Sequence, residues 1–328
     1  MGPADLQAVL AGLKGMSLPA GYSGFKDAED VGVVPLDAEN DLLFTADFFT
    51  PIVDDPYAFG AIAAANALGD IYAKGGTPLA SLNLAAFPAE IGPEVMSEIL
   101  RGGAEKAAEG GAPVVGGHTI KDREIKFGLA VIGKVRKGEF LSLGGAQAGD
   151  DLVLTKPVGT GILATGLKRG LLDQPLIDTI TALMTQLNGD ASRIACDHGA
   201  TAATDVTGYG LLGHLGNMVR ASGIETTVYF SKVPVLEGAL NLARAGHVPG
   251  GGKANLQYAE AFTTFVDNID ESERLILADP QTSGGLLLAV PASQTGCLLA
   301  KLEEAGYSAA AIGTVGAASA EGLIVVRR

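Results

Sequence analysis

Two periods of apolar and polar residues alternate along this chain. Leu42-Leu43-Phe44-Thr45-Ala46 is a short apolar run ending in Asp47, and it predicts a buried strand with an acid at its mouth. After a loop over 48–54, Asp55 stands before Pro56, an N-cap followed by a favoured first helical residue. An Ala-rich run without proline follows and stops at Gly75-Gly76, where a helix C-cap is expected. The helix is small and apolar on every side, which predicts burial. Yet it carries Asn66 and Asp70, four apart and so on one face. A buried carboxylate needs a cation or several hydrogen-bond donors. Two readings of Asp70 therefore stand side by side: a structural ion pair, or a metal ligand with Asn66 beside it.

The run Val31-Gly32-Val33-Val34 pairs naturally with 41–46 as a hairpin, which brings Asp30 to face Asp47. Leu79 to Phe87 predicts a second buried strand. Gly92-Pro93 opens an amphipathic helix with Val95, Ile99, Leu100 and Ala104 along one stripe, ending at Gly110-Gly111. A short strand over 112–115 runs into a Gly116-Gly117-His118-Thr119 loop, and 126–135 is another strand. Residues 3–10 read as a short helix, and the polar, Gly-rich stretch 136–150 reads as a boundary. We therefore expect an α/β (α+β) protein of two domains, 1–140 and 141–328.

The second half predicts a strand over 151–155, a helix from Gly159-Thr160-Gly161 to Lys168, and one long helix over 175–196. A short strand over 202–205 ends in Asp205, and a helix over 208–222 follows. Further on come a strand (226–230), a helix (236–245), a turn from Asp279 to Gly285, a strand (286–290), a helix (293–305) and two terminal strands.

Composition narrows the chemistry. Asp and Glu outnumber Lys and Arg by 37 to 23, a net charge of −14, which argues against nucleic acid and anionic membranes as partners. Neither a signal peptide nor an apolar run long enough to span a bilayer is visible, so a soluble cytoplasmic protein is expected. Cys196 and Cys297 lack CxxC spacing, which argues for a reducing compartment and against zinc, and both read as small core residues.

Four acids, Asp30, Asp47, Asp70 and Asp205, sit at strand ends or on a buried face. Carboxylates are hard oxygen ligands suited to Mg2+, which bridges to substrate phosphates. Two Gly-rich segments, Gly116-Gly117-His118-Thr119 and Gly159-Thr160-Gly161, offer backbone N–H groups for phosphate. Neither matches a P-loop, and no GxGxxG follows a strand. His118 is a candidate substrate contact, while His214 reads as structural.

The segments DFFTPIVDDPYAFGAIAAANALGDIYAKGG, VVGGHTI, ATDVTGYGLLGHL, VPGG and DPQTSGGLLLAV occur in that order along the chain. Together they resemble the selenophosphate synthetase (selenide, water dikinase) family, over essentially the whole length. The wider superfamily, with aminoimidazole ribonucleotide synthetase and thiamine-monophosphate kinase, shares the Asp-rich ATP site. The resemblance implies an aminoimidazole ribonucleotide synthetase-like fold of two domains, and a homodimer whose N-terminal sheets pair. It implies that ATP, selenide and water give selenophosphate, AMP and phosphate. It implies Asp30, Asp70 and Asp205 as Mg2+ ligands, and Asp27, Ala28, Glu29, Asp47 and Asp70 as ATP contacts. Gly117, His118 and Thr119 would reach ATP across the dimer. The family's Cys (or selenocysteine) and Lys, on a Gly-rich loop, are expected upstream of residue 1. The alternatives are a non-catalytic Mg-ATP-binding dimer and a small-molecule kinase of the wider superfamily.

Overall fold

The computed structural model describes residues 17–23, 29–319 and 323–328, with Val9 and Gly12. Apart from Val9, the helix expected over 3–10 lies outside the described residues, as do Asp27 and Ala28. The N-terminal half runs β1 (Gly32–Pro35), β2 (Asn40–Phe49), α1 (Pro56–Ala73), β3 (Thr77–Phe87), α2 (Pro93–Glu109), β4 (Val114–Lys121) and β5 (Lys126–Arg136). Its strands form one sheet in the order β1-β2-β5-β3-β4, with β3 and β4 parallel and the other pairs antiparallel. The expected hairpin is present, with Val33 opposite Leu43.

Helix α1 begins as its sequence dictates. The Asp55 side chain accepts from Ala58 N at 2.6 Å, and Pro56 takes the first turn, where its missing N–H costs nothing. Every residue from Phe59 to Ala73 is buried. One side of α1 lies on the sheet and the other meets the C-terminal half, so small apolar side chains are needed all round. The inner face of β2 is matched to it step by step. Leu43 lies against Gly76, Thr45 donates to Asp70, Asp47 accepts from Asn66 and Phe49 packs edge-on against Phe59. Each fully buried Ile or Leu of α1 contributes on the order of 2 kcal/mol.

The C-terminal half runs β6 (Asp150–Leu154), α3 (Thr160–Lys168), α4 (Gln174–Thr185), α5 (Gly189–Asp197), β7 (Ala202–Asp205), α6 (Gly210–Ser222), β8 (Ile224–Tyr229), α7 (Ala239–Arg244), α8 (Gly250–Ala259), β9 (Thr263–Phe265), α9 (Glu271–Leu277), β10 (Leu286–Pro291), α10 (Ala292–Glu304), β11 (Ala310–Ala318) and β12 (Ile324–Arg327). Its sheet has the order β7-β10-β6-β11-β8-β12-β9. No helix among the described residues is long and apolar enough to cross a membrane.

Several expectations are corrected. The long helix over 175–196 is two helices, because Gln186 adopts extended backbone and its carbonyl is taken by the Lys156 ammonium at 2.6 Å. Gly116 to Thr119 is strand and not loop, because β3 pairs with it from Leu82 to Ala85. Helices α8 and α9 are additions to the expected elements. The Gly250-Gly251-Gly252 start of α8 has poor helix propensity, and packing of Leu256 and Ala259 overrides it. Cys196 and Cys297 are exposed free thiols, not core residues. On α10 the buried phase runs through Thr295, Leu298 and Leu302, which turns Cys297 outward.

Candidate active site

The four nominated acids meet where the two halves touch. Asp70 and Asn66 project from α1 and Asp47 from β2, while Asp30 precedes β1 and Asp205 closes β7. The Asn66 amide donates to Asp47 Oδ2 at 2.8 Å, and the Thr45 hydroxyl donates to Asp70. Asp205 lies against the backbone of α1. A Cβ added at Gly69 would stand 2.8 Å from Asp205 Oδ2, so glycine is what lets the acid approach. The neighbouring Thr204 hydroxyl donates to Asp30 Oδ2 at 3.1 Å, tying β7 to the N-terminal half.

Among the described residues one cation, Lys74, is ion-paired within this group, and sequence reading missed it. Lys74 is fully buried and holds Glu29 at 2.7 Å and Asp30 at 2.9 Å. It follows Asn66 and Asp70 at the same helical interval, so the three form one polar stripe on α1. That continued spacing was the available signal. Burial pulls the Lys74 ammonium down, but Asp30 and Glu29 outweigh it and hold the group above its ordinary value. Glu29 also accepts from Ser142 Oγ and Leu143 N, each at 3.1 Å, which anchors it to the segment joining the halves.

With Lys74 engaged, the remaining acids face one another. Burial, and then the charges of Asp205, Asp47 and Asp30, push the Asp70 carboxyl well above the ordinary range. Burial, then Asp30 and Asp47, push Asp205 up to about 8. Burial also raises Asp47 against the opposing hydrogen bond from Asn66. Asp205 Oδ1 is buried and has no hydrogen-bond partner among the described residues. Like charges gathered in this way suit a divalent cation with an oxygen ligand set. Among the described residues, no three His, Cys, Asp or Glu side chains form a ready-made metal cage.

The two Gly-rich segments diverge. The N–H groups of Gly159 and Thr160 donate to Gln281 Oε1 at 2.9 and 3.1 Å, and Gly161 N donates to Asp279 Oδ2 at 3.0 Å. The start of α3 is thus filled by the protein's own carboxylate and amide, which closes it to phosphate. Gly117, His118 and Thr119 remain open on edge strand β4 and are exposed. Gly117 shares a cross-strand row with Asn83, Leu129 and Asp47. Three strand spacings separate it from Asp47, about 14 Å, so one chain does not bring this segment to the acids. His214 is buried and structural. Its Nε2 accepts from Thr207 N at 3.1 Å, and burial pulls the imidazole down to about 4.

Residues 28–135 match the family described as AIR synthase related protein, N-terminal domain, and residues 147–326 match AIR synthase related protein, C-terminal domain. The chain is 44% identical to "Selenide, water dikinase" of Carboxydothermus hydrogenoformans, over 100% of this chain and 95% of that protein. It is 46% identical to "Selenide, water dikinase" of Myxococcus xanthus, over 95% of this chain and 89% of that protein. In fold it is similar to thiamine-monophosphate kinase from Stenotrophomonas maltophilia K279a, at a TM-score of 0.69 and 19% identity, over 98% of this chain and 94% of that one.

Proposed function

The chain belongs to the selenide, water dikinase family, built on AIR synthase related domains, and from that membership we propose that it makes selenophosphate from ATP, selenide and water, releasing AMP and phosphate. The observation that carries this reading is the meeting of Asp70 and Asp205 from opposite halves, with Asp205 Oδ1 buried and unpaired. Phosphoryl transfer needs positioning and charge stabilisation more than covalent help from the protein.

Mg2+ is the cation we propose, held by Asp30, Asp70 and Asp205. It binds through a few carboxylates and completes its shell with substrate phosphates and water, so no all-protein cage is required. When bound, it supplies positive charge against the developing charge of the transferred phosphoryl group. Asp47, oriented by Asn66, and the segment Asp27, Ala28 and Glu29 are the proposed ATP contacts on the same chain. Lys74 fixes Glu29 and Asp30 before ligand arrives, which limits the repulsion a polyphosphate meets in a chain of net charge −14.

The outer face of the N-terminal sheet supports a homodimer. Phe44, Phe48, Leu82 and Ile120 are exposed there, and among the described residues β4 is an edge strand with no partner on its outer side. Covering both with a second copy would bury this surface and bring Gly117, His118 and Thr119 of one protomer towards the acids of its partner. The division into an ATP-binding and dimerising half, 1–140, and a closing half, 141–328, is part of the same proposal. So is a cytoplasmic location, which two exposed free thiols favour.

The test is product analysis after incubation with Mg2+, ATP and selenide. Phosphorus NMR should show a selenium-bonded phosphate, with AMP and orthophosphate formed in equal amounts. ADP as the nucleotide product, or turnover that ignores selenide, contradicts the proposal.

A further inference from the structure

Three non-glycine residues among those described have a left-handed backbone: Asp267, Asn268 and Ser283. Asp267 and Asn268 are exposed, and Asp and Asn adopt this conformation readily. Ser283 is the buried one, 3% exposed with a φ of +48°. Serine gains nothing locally from that conformation, so its surroundings must impose it.

Those surroundings are explicit. Ser283 N donates to Asn66 Oδ1 at 2.9 Å, and Ser283 O accepts from the buried Lys156 ammonium at 3.1 Å. The turn is thereby tied to α1 on one side and to the end of β6 on the other. Gly284 and Gly285 hold it from behind. A Cβ at Gly284 would come 2.0 Å from Val206 O, and one at Gly285 would come 2.4 Å from Lys156 N. Backbone this constrained leaves the side chain as the free variable. The Ser283 hydroxyl is buried and has no hydrogen-bond partner among the described residues.

Glycine at this position would relieve the backbone strain and remove the unpaired hydroxyl together. Serine carries both costs two hydrogen bonds from Asp47, through the amide of Asn66. Of the buried lysines described at the seam, Lys74 is spent on Glu29 and Asp30 and Lys156 on two carbonyls. We propose that the Ser283 hydroxyl is a substrate contact, donating a hydrogen bond to a phosphate oxygen of the bound nucleotide from the C-terminal half. This rests on the reading of the seam as a nucleotide site.

The experiment compares Ser283→Gly and Ser283→Ala with the wild-type chain, measuring melting temperature, Mg-ATP affinity by calorimetry, and kcat/KM with selenide. Removing a hydrogen bond to a charged phosphate should lower affinity and kcat/KM about 10- to 100-fold in both variants. Ser283→Gly should also melt higher than wild type, so its loss of activity cannot come from unfolding. If Ser283→Gly keeps its affinity and turnover within about twofold of wild type, the hydroxyl is not a substrate contact. Should wild type bind Mg-ATP and make no selenophosphate, the proposed reaction fails, and the affinity comparison still decides the role of Ser283.

Discussion

Strand β2 shows one sheet with two opposite faces. Inward, against helix α1, it presents Thr45 and Asp47, hydrogen-bonded to Asp70 and Asn66. Outward it presents Phe44 and Phe48, which are 39% and 56% exposed. Leu43 and Phe49 share the inner face with Thr45 and Asp47, so apolar side chains lie on both sides of β2, whereas an amphipathic strand usually keeps them on one. On the proposed reading, the buried acids of the inner face serve a cationic ligand and the exposed aromatics of the outer face serve a second copy of the chain. The cross-strand rows connect the two. Phe48, Gly128, Leu84 and His118 form one outward row, and the adjacent inward row joins Asp47 to Gly117.

Breaking the inner face should have the largest effect. Asp70→Ala should abolish Mg2+-dependent ATP binding in a calorimetric titration while the chain stays folded. Without metal the variant should be no less stable than wild type, because the lost carboxyl faces three other acids. Unchanged ATP affinity would remove Asp70 from the site. Lys74→Met should come next. It leaves Glu29 and Asp30 buried together without their cation, at a cost of about 3–5 kcal/mol in urea unfolding. A cost under about 1 kcal/mol would show that solvent already screens the pair.

Breaking the outer face should spare stability. Phe48→Glu places a charge on the exposed apolar surface and should weaken self-association at least tenfold, roughly 1.4 kcal/mol, with little change in melting temperature. A variant that stays as associated as wild type would locate the contact elsewhere.

The smallest effect concerns protons. Burial holds Asp205 up at about 8 and Asp279 at about 7, and burial followed by the neighbouring acids raises Asp70 as well. Their folded-state values lie above the unfolded ones, so the stability they contribute is full below about pH 4 and lost as pH rises. His214, lowered to about 4, opposes this with one proton. Lys156, lowered by burial to about 7, acts only above that. The metal-free chain should therefore melt several degrees lower at about pH 7 than at about pH 5, and Mg-ATP should shrink that gap. A melting temperature that rises over this interval would contradict the assignment.

The legible parts of the chain were those set by near neighbours. Asp55-Pro56 and Gly75-Gly76 punctuate α1, so the helix could be read directly, while the apolar run before Asp47 marks the strand but not its end: β2 continues to Phe49 and Asp47 lies within it, not at its mouth. Long-range partners decided the rest. Gly116-Gly117 reads as a turn by propensity, and pairing with β3 makes it strand. Gly159-Thr160-Gly161 reads as a phosphate cradle, and Asp279 and Gln281 fill it from the far end of the chain. Lys156 and Ser283 meet only in three dimensions, so neither carried a local signal. Asp27 and Ala28 lie outside the described residues.

Sedimentation of the chain at micromolar concentration, with and without Mg-ATP, tests most directly whether the two faces of the sheet act together. The account predicts a dimer in both conditions, with ATP bound when metal is present. A well-folded monomer that holds Mg-ATP would contradict both the shared site and the pairing of the sheets.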